Sequence, residues 1–185
     1  MARETVEGAQ QHPGRATTGR RDRVEQVDRA VGRLAGAVGG PVGSTAGLLV
    51  WSYVAGRQLD TWLAEALDGT GLATSDYVAL AGVAYAAEDD LLSAGDLADW
   101  VVQTSGGTAK TIQRLVERGL VRRVADPDDG RRTLLEATGP GRRTADRVAT
   151  GLFSRLDADL AGLDVAERKA LRDALRRLAG VLARG

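Results

Sequence analysis

The sequence predicts a mainly α-helical chain that carries one small β-hairpin wing. Over most of the chain, apolar residues recur every three or four positions, which is the period of amphipathic helices. In the middle the period becomes that of strands, over residues 120–125 and 132–137, with an Asp/Pro/Gly cluster between them. The length of 185 residues allows one domain with an appendage.

The composition excludes several classes of protein. The chain has no cysteine and one histidine, so thiol chemistry, disulfides and metal sites built on Cys or His are not expected. No acid/base pair or activated nucleophile is apparent, so we expect neither an enzyme nor a cofactor. No apolar run approaches the ~20 residues of a membrane-spanning helix. We therefore expect a cytoplasmic protein with no membrane partner.

The N-terminal residues predict a leader and an arm. Residues 1–21 are polar and aperiodic, which indicates a disordered leader. Residues 22–43 predict an amphipathic helical arm and a Gly/Pro linker, with apolar residues at alternating spacings of three and four: Val24, Val27, Val31, Leu34 and Val38. A helix lying on its own domain and a seam against a partner subunit both fit this short pattern.

Two helices are expected next, and both are acidic. The first is a long helix within residues 44–72, and the second begins at Thr74 or Ser75 as its N-cap. Residues 44–90 carry a net charge of −6 although the whole chain sums to zero. A nucleic acid would not dock on such a segment. The compensating positive charge lies on both sides, with +2 over residues 1–43 and +4 over residues 91–185.

Residues 73–138 predict a winged helix-turn-helix. Ser93 caps a short helix, and Thr104 or Ser105 begins another that ends at Gly119. Two short helices joined by a few residues form a helix-turn-helix, and the basic hairpin follows directly. The second helix and the first strand hold a net charge of +4 between residues 104 and 123.

The C-terminal residues 139–185 predict two more helices, with Asp164 and Glu167 forming a capping box at the start of the last. Their apolar faces are longer than a module of about 45 residues can bury. A dimer interface shared with a second copy would cover them. Residues 44–72 and 139–185 are thus expected to be dimerisation helices.

The stretch from Asp96 to Gly141 resembles the multiple antibiotic resistance regulator (MarR) family of bacterial transcription factors. The resemblance lies in the order of four strings: an LA pair on the first short helix, TSGG at the start of the second, RLVERGLVRR at its end, and DPDDGR in the wing. It implies a homodimer that binds a pseudo-palindromic operator in double-stranded DNA, with repression as the expected outcome. It also implies a small phenolic or lipophilic effector that releases the DNA.

The second short helix supplies the expected DNA contacts. With Thr108, Ile112 and Leu115 turned inward, its opposite face carries Gly106, Lys110 and Gln113, with Arg114 beside them. Thr104 and Ser105 lie at the helix N-terminus, where backbone amides suit a phosphate. Arg131 and Arg132 project from the wing as further expected DNA contacts, and the family resemblance implies that Arg131 enters the minor groove while Asp129 supports it.

The expected effector pocket is lined by Trp51, Arg57, Trp62 and Tyr77, in the cleft that the resemblance implies. These aromatic residues could equally fill the core, with Arg57 in solvent. A different class of function is also open at this point. A winged helix can serve as a protein–protein interaction module without binding DNA directly. Capture of a partner protein in place of DNA would distinguish the two.

Overall fold

The computed structural model describes residues 15–40, 43, 45–86, 91–101, 104–129 and 132–183. The predicted fold class is confirmed: helices dominate, and three short strands form one antiparallel sheet. The chain divides between Leu59 and Asp60 into two units. Among the described helices, none has the length and apolar character needed to cross a bilayer.

The first unit contains α1 (Arg15–Val38) and most of α2 (Ala46–Ala66). The leader was expected to be disordered to residue 21, but residues 15–21 are helical, and residues 1–14 lie outside the described part. The two helices approach closely at a glycine, since a β-carbon on Gly47 would lie 3.3 Å from Val31. The Trp51 indole also donates to Asp28 over 3.1 Å. The arm therefore packs on α2 of its own chain.

The second unit continues with α3 (Thr74–Ala81) and a π-helical turn over Gly82–Ala86. The N-cap of α3 is Ala73, whose side chain cannot accept a hydrogen bond, so the expected cap at Thr74 or Ser75 is wrong by one or two positions. The following residues, 87–90, which include the acidic run, lie outside the described part.

The sheet consists of β1 (Leu92–Ser93), β2 (Val121–Ala125) and β3 (Thr133–Ala137). Its spatial order is β1-β3-β2, so β3 is the central strand. The hairpin of β2 and β3 was predicted, but β1 was not. The two helices of the helix-turn-helix, α4 (Ala94–Val101) and α5 (Ser105–Glu117), lie in sequence between β1 and β2. One strand of the sheet therefore precedes these helices and two follow them.

The core of the second unit lies between these elements. Its most deeply buried side chains come from α3, the π-helical turn, α4, α5 and the sheet: Leu80, Val83, Leu97, Leu115, Val121 and Leu135. Burial of such side chains contributes about 1.5–3 kcal/mol each and fixes α5 relative to the sheet.

The C-terminal helices are α6 (Gly139–Asp159) and α7 (Val165–Leu182). Thr138 caps α6, and the expected capping box of Asp164 and Glu167 is present at the start of α7. α6 buries one face, whereas no residue of α7 is buried within the chain.

Candidate nucleic-acid interface

The N-terminus of α5 is fixed by its cap. The Thr104 hydroxyl accepts a hydrogen bond from the Gly107 amide over 3.3 Å, and α5 begins at Ser105, as expected. A β-carbon on Gly106 would meet no atom within 4 Å, so the first turn offers an open backbone surface. This surface allows a ligand to approach the helix closely.

α5 has one buried face and one exposed face, and each carries the residues that the sequence predicts for it. Thr108, Ile112 and Leu115 are buried, and Thr111 is buried beside them. The exposed face carries Gly106, Lys110 and Gln113. The Gln113 amide nitrogen donates to Glu117 over 2.9 Å, a surface bond that a stronger partner could replace.

Arg114 has a different environment from the one expected of a DNA contact. Its Nε and Nη2 donate to Asp76 Oδ1 of α3 over 2.9 and 2.5 Å. Nη2 also lies 3.1 Å from the hydroxyl of Thr111 and 3.4 Å from that of Ser75. The hydrogen bond to Asp76 raises the pKa of the guanidinium further above its usual value. Arg114, expected as a DNA contact beside the outward face, is thus anchored to α3 by a buried carboxylate, although its own side chain is 45% exposed.

Two more arginines of this basic stretch have partners inside the module. Arg118 donates to the Gly71 carbonyl over 2.8 Å, and Arg122 pairs across the hairpin with Glu136 over 2.7 Å. In the described part of the chain, Lys110 and Arg123 are the basic residues between 104 and 123 that make no ion pair or side-chain hydrogen bond. The net charge of this stretch is therefore partly neutralised locally, and Lys110 is the cation that α5 presents outward.

The turn between β2 and β3 is organised by Asp126. Its Oδ1 accepts hydrogen bonds from the amides of Asp128 and Asp129, at 2.9 and 3.3 Å. Arg132 lies 3.7 Å from the same carboxylate. The expected support of the wing by Asp129 concerns Arg131, which is outside the described residues. Asp126 was overlooked, although an Asp-Pro step at a turn is a known signal for a side chain that bonds the following amides.

The π-helical turn is joined to α6. Tyr85 donates its hydroxyl to Asp146 over 2.6 Å, and Arg142 donates to the Ala84 carbonyl over 3.2 Å. Burial, and then the bond to Asp146, raise the pKa of Tyr85 to about 12. On the other side of the turn, a β-carbon on Gly82 would lie 2.8 Å from the Trp100 ring. The half-exposed Trp100 of α4 therefore packs against Gly82, where any side chain would collide with the indole ring.

Three of the four residues expected to line an effector pocket have contacts within their own unit, and the expected pocket stays a prediction. Trp51 and Arg57 lie in the first unit, and Trp51 bonds to Asp28. Trp62 donates to Asp159 over 2.7 Å, with the guanidinium of Arg155 5.4 Å from its ring. Tyr77 is buried in the core of the second unit, where burial raises its pKa. Trp62 and Tyr77 therefore both contribute to the packing of the second unit.

A pocket of about 260 Å³ lies between α4, α5 and the sheet. Its lining is mostly apolar, from residues such as Ala98, Ile112 and Leu135, and its polar members are Thr108, Arg123 and Thr133. Among the described lining residues, Arg123 carries the charge. The pocket adjoins the buried side of α5, whose opposite side presents Lys110. A molecule bound in the pocket would therefore contact α5.

Comparison with known proteins gives a family for part of the chain. Residues 70–132 match the model of the MarR family. No protein of curated function matches the chain. Among solved structures, a probable transcriptional regulator from Pseudomonas aeruginosa is 28% identical, with a TM-score of 0.57, over 66% of this chain and 92% of that one.

Two further structures share the fold. A mutant MarR from E. coli complexed with operator DNA is 20% identical, with a TM-score of 0.63, over 76% of this chain and 99% of that one. NadR in complex with 4-hydroxyphenylacetate is 24% identical, with a TM-score of 0.61, over 70% of this chain and 90% of that one. The described residues therefore have the fold of these two proteins.

Proposed function

Because residues 70–132 match the model of the MarR family, we propose that this chain is a transcriptional regulator that binds specific sequences of double-stranded DNA. The observation that carries the proposal is the outward face of α5. It presents Gly106, Lys110 and Gln113 beside a two-stranded wing, on a helix whose N-terminus is capped and open. Lys can recognise guanine and Gln can recognise adenine in the major groove.

The DNA-contacting residues that we propose are fewer than the sequence suggested. Lys110 and Gln113 would contact base edges, while the Thr104 cap and the Gly106 backbone would lie against a phosphate. Arg132 and Arg131 of the wing would reach the adjacent minor groove. Arg114 is left out of this set because its Nε and Nη2 already bind Asp76.

We propose that the working form is a homodimer. α7 carries Leu171, Leu175, Leu178 and Leu182 on one face, and no residue of α7 is buried within the chain. A helix with such a face gains stability when another apolar surface covers it. A second copy would also supply a second α5, so that the pair reads a pseudo-palindrome with half-sites about one DNA turn apart.

We propose repression as the mode of regulation, with release by a small anionic effector. The pocket between α4, α5 and the sheet suits such a molecule, since an apolar lining with Arg123 favours an aromatic acid. The structural neighbour NadR was solved with a molecule of that kind, 4-hydroxyphenylacetate. This location replaces the one expected from Trp51, Arg57, Trp62 and Tyr77.

Selection of duplexes from a random DNA pool tests the central proposal without knowledge of the operator. The expected result is enrichment of a pseudo-palindrome that is bound by two copies of the chain. Gln113→Ala should then relax the preference at one position in each half-site. Arg29→Gln, on α1, is the matched control because it removes an exposed charge far from α5 in sequence and should leave the preference unchanged.

Failure to enrich any sequence at low salt would contradict the proposed function. A protein partner recovered in its place would favour the protein-binding alternative for the winged module. Mass measurement of the free protein by light scattering tests the dimer separately. A monomer at micromolar concentration that still binds a palindrome cooperatively would show that DNA, rather than α7, brings the two copies together.

A further inference from the structure

The ion pair between Asp76 and Arg114 joins the first turn of α3 to α5. The Asp76 side chain is 7% exposed, whereas that of Arg114 is 45% exposed. The guanidinium directs two N–H groups at one carboxylate oxygen, Oδ1. A carboxylate buried to this degree is costly unless a cation compensates it. The pair therefore fixes the distance between the two helices at this point.

Two hydroxyl groups extend the contact. Arg114 Nη2 lies within hydrogen-bond distance of Thr111 on α5 and Ser75 on α3. Thr111 is itself buried. One turn further along α5, Arg118 donates to the Gly71 carbonyl in the loop before α3. Two arginines spaced by four residues thus attach the same side of α5 to α3 and its preceding loop.

We propose that Arg114 and Asp76 are positioning residues, which set the orientation of α5 for DNA without contacting DNA themselves. The inference rests on the proposed function. Lys110 and Gln113 can reach base edges only if α5 is held within about 0.5 Å of its binding geometry. Arg114 follows Gln113 directly, so its anchorage determines the rotation of α5 about its own axis at the point where bases are read.

Asp76→Asn separates this inference from simple electrostatics. The substitution removes a negative charge from a module that binds a polyanion, so charge alone predicts tighter binding and a steeper dependence on salt. Loss of the anchor predicts the opposite, a roughly tenfold or larger rise in Kd. The probe is a duplex selected by the wild-type protein from a random pool, with the Kd measured at several salt concentrations.

Arg114→Lys gives a second, charge-conserving arm. Lysine keeps the positive charge but has a single ammonium group, which cannot place two N–H groups on Asp76 while also reaching Thr111. The expected result is weaker binding with an unchanged slope of log Kd against log salt. If Arg114 contacted a phosphate, its replacement by glutamine would instead lower this slope by about one unit. Arg114→Gln should therefore leave the slope unchanged as well.

A double variant and a control complete the design. Asp76→Asn combined with Arg114→Gln should bind no more weakly than Arg114→Gln alone, because each change already breaks the pair. Circular dichroism and thermal unfolding identify any variant that does not fold, and Arg29→Gln on α1 controls for the loss of one exposed charge.

Tighter or unchanged binding by Asp76→Asn, or wild-type binding by a folded Arg114→Lys, would overturn the inference while leaving the proposed function intact. A wild-type protein that binds no duplex would overturn both. A slope that falls by about one unit in Arg114→Gln would show a phosphate contact instead of a positioning role.

Discussion

Gly141 lies so close to Leu120 that a β-carbon added to it would stand 1.9 Å from the Leu120 carbonyl oxygen. The same oxygen accepts hydrogen bonds from the backbone amide and the hydroxyl of Thr138. The N-terminus of α6 therefore rests directly on the chain that enters the wing. Any side chain at position 141 would separate α6 from the sheet.

Gly141→Ala is accordingly expected to destabilise the protein by about 3 kcal/mol or more, because backbone and not a flexible side chain must move. Gly151→Ala on the same helix is the matched control, since nothing lies within 4 Å of its β-carbon. That control should stabilise the helix by roughly 0.5–1 kcal/mol. Urea unfolding measures both, and equal stabilities for the two variants would contradict the close contact.

Lys110 carries the outward charge of α5, so its replacement should change the salt dependence of DNA binding. Lys110→Ala is expected to weaken binding by about 1–3 kcal/mol if the side chain contacts a base, or to reduce the salt slope by about one unit if it contacts a phosphate. Arg122→Gln loses the same charge from a residue already paired with Glu136. A larger effect from Arg122→Gln than from Lys110→Ala would disprove this division of roles.

Asp126 should matter more to the wing than its acidic neighbours do. Asp126→Ala removes the acceptor for the amides of Asp128 and Asp129, so the turn loses its order. We expect weaker DNA binding even though a negative charge is lost. Asp128→Ala removes the same charge without removing that acceptor. Comparison of the two Kd values tests the difference, which disappears if only charge matters.

The Thr104 cap should stabilise α5 by about 1 kcal/mol, the usual loss when an N-cap threonine becomes alanine. Thr104→Ala should lower the midpoint of urea unfolding, and Thr104→Ser should restore it because serine keeps the hydroxyl. If alanine and serine variants unfold at the same urea concentration, the bond from Gly107 contributes nothing to stability.

Tyr85 gives the protein a dependence on alkaline pH. Its folded pKa of about 12 lies above the ordinary tyrosine value of 10.0, so the folded state keeps the phenol proton more firmly than the unfolded state. The stabilisation is complete below pH 10 and is lost as pH rises toward 12. Tyr85→Phe should reduce the fall in stability over this range, whereas Tyr53→Phe at an exposed site should not.

The sequence predicted those features that depend only on residues close together in the chain. The cap at Thr104, the box of Asp164 and Glu167, and the inward face of α5 all follow from spacing within one helix. The two-residue strand β1 could not be found in this way, because Leu92 is a strand residue only through its pairing with Leu135. Its sequence is too short to carry a period.

The charged residues show the same limit. Arg114 sits beside the outward face by helical geometry, and only the fold shows that Asp76, 38 residues earlier, takes up its donors. A cation near a DNA-facing surface was assigned to DNA because its internal partner is distant in sequence. Asp126 differs, since its partners are two and three residues away and its Asp-Pro step was readable.

The pairing of β1 with β3 also has a consequence for how the module folds. Leu92 meets Leu135 only after α4, α5 and β2 have been traversed, so this contact closes a loop that contains the whole helix-turn-helix. Closing a long loop costs chain entropy before the contact repays it, which favours late and concerted formation. The backbone amides of α5 should therefore gain and lose their protection from hydrogen exchange together with those of the wing.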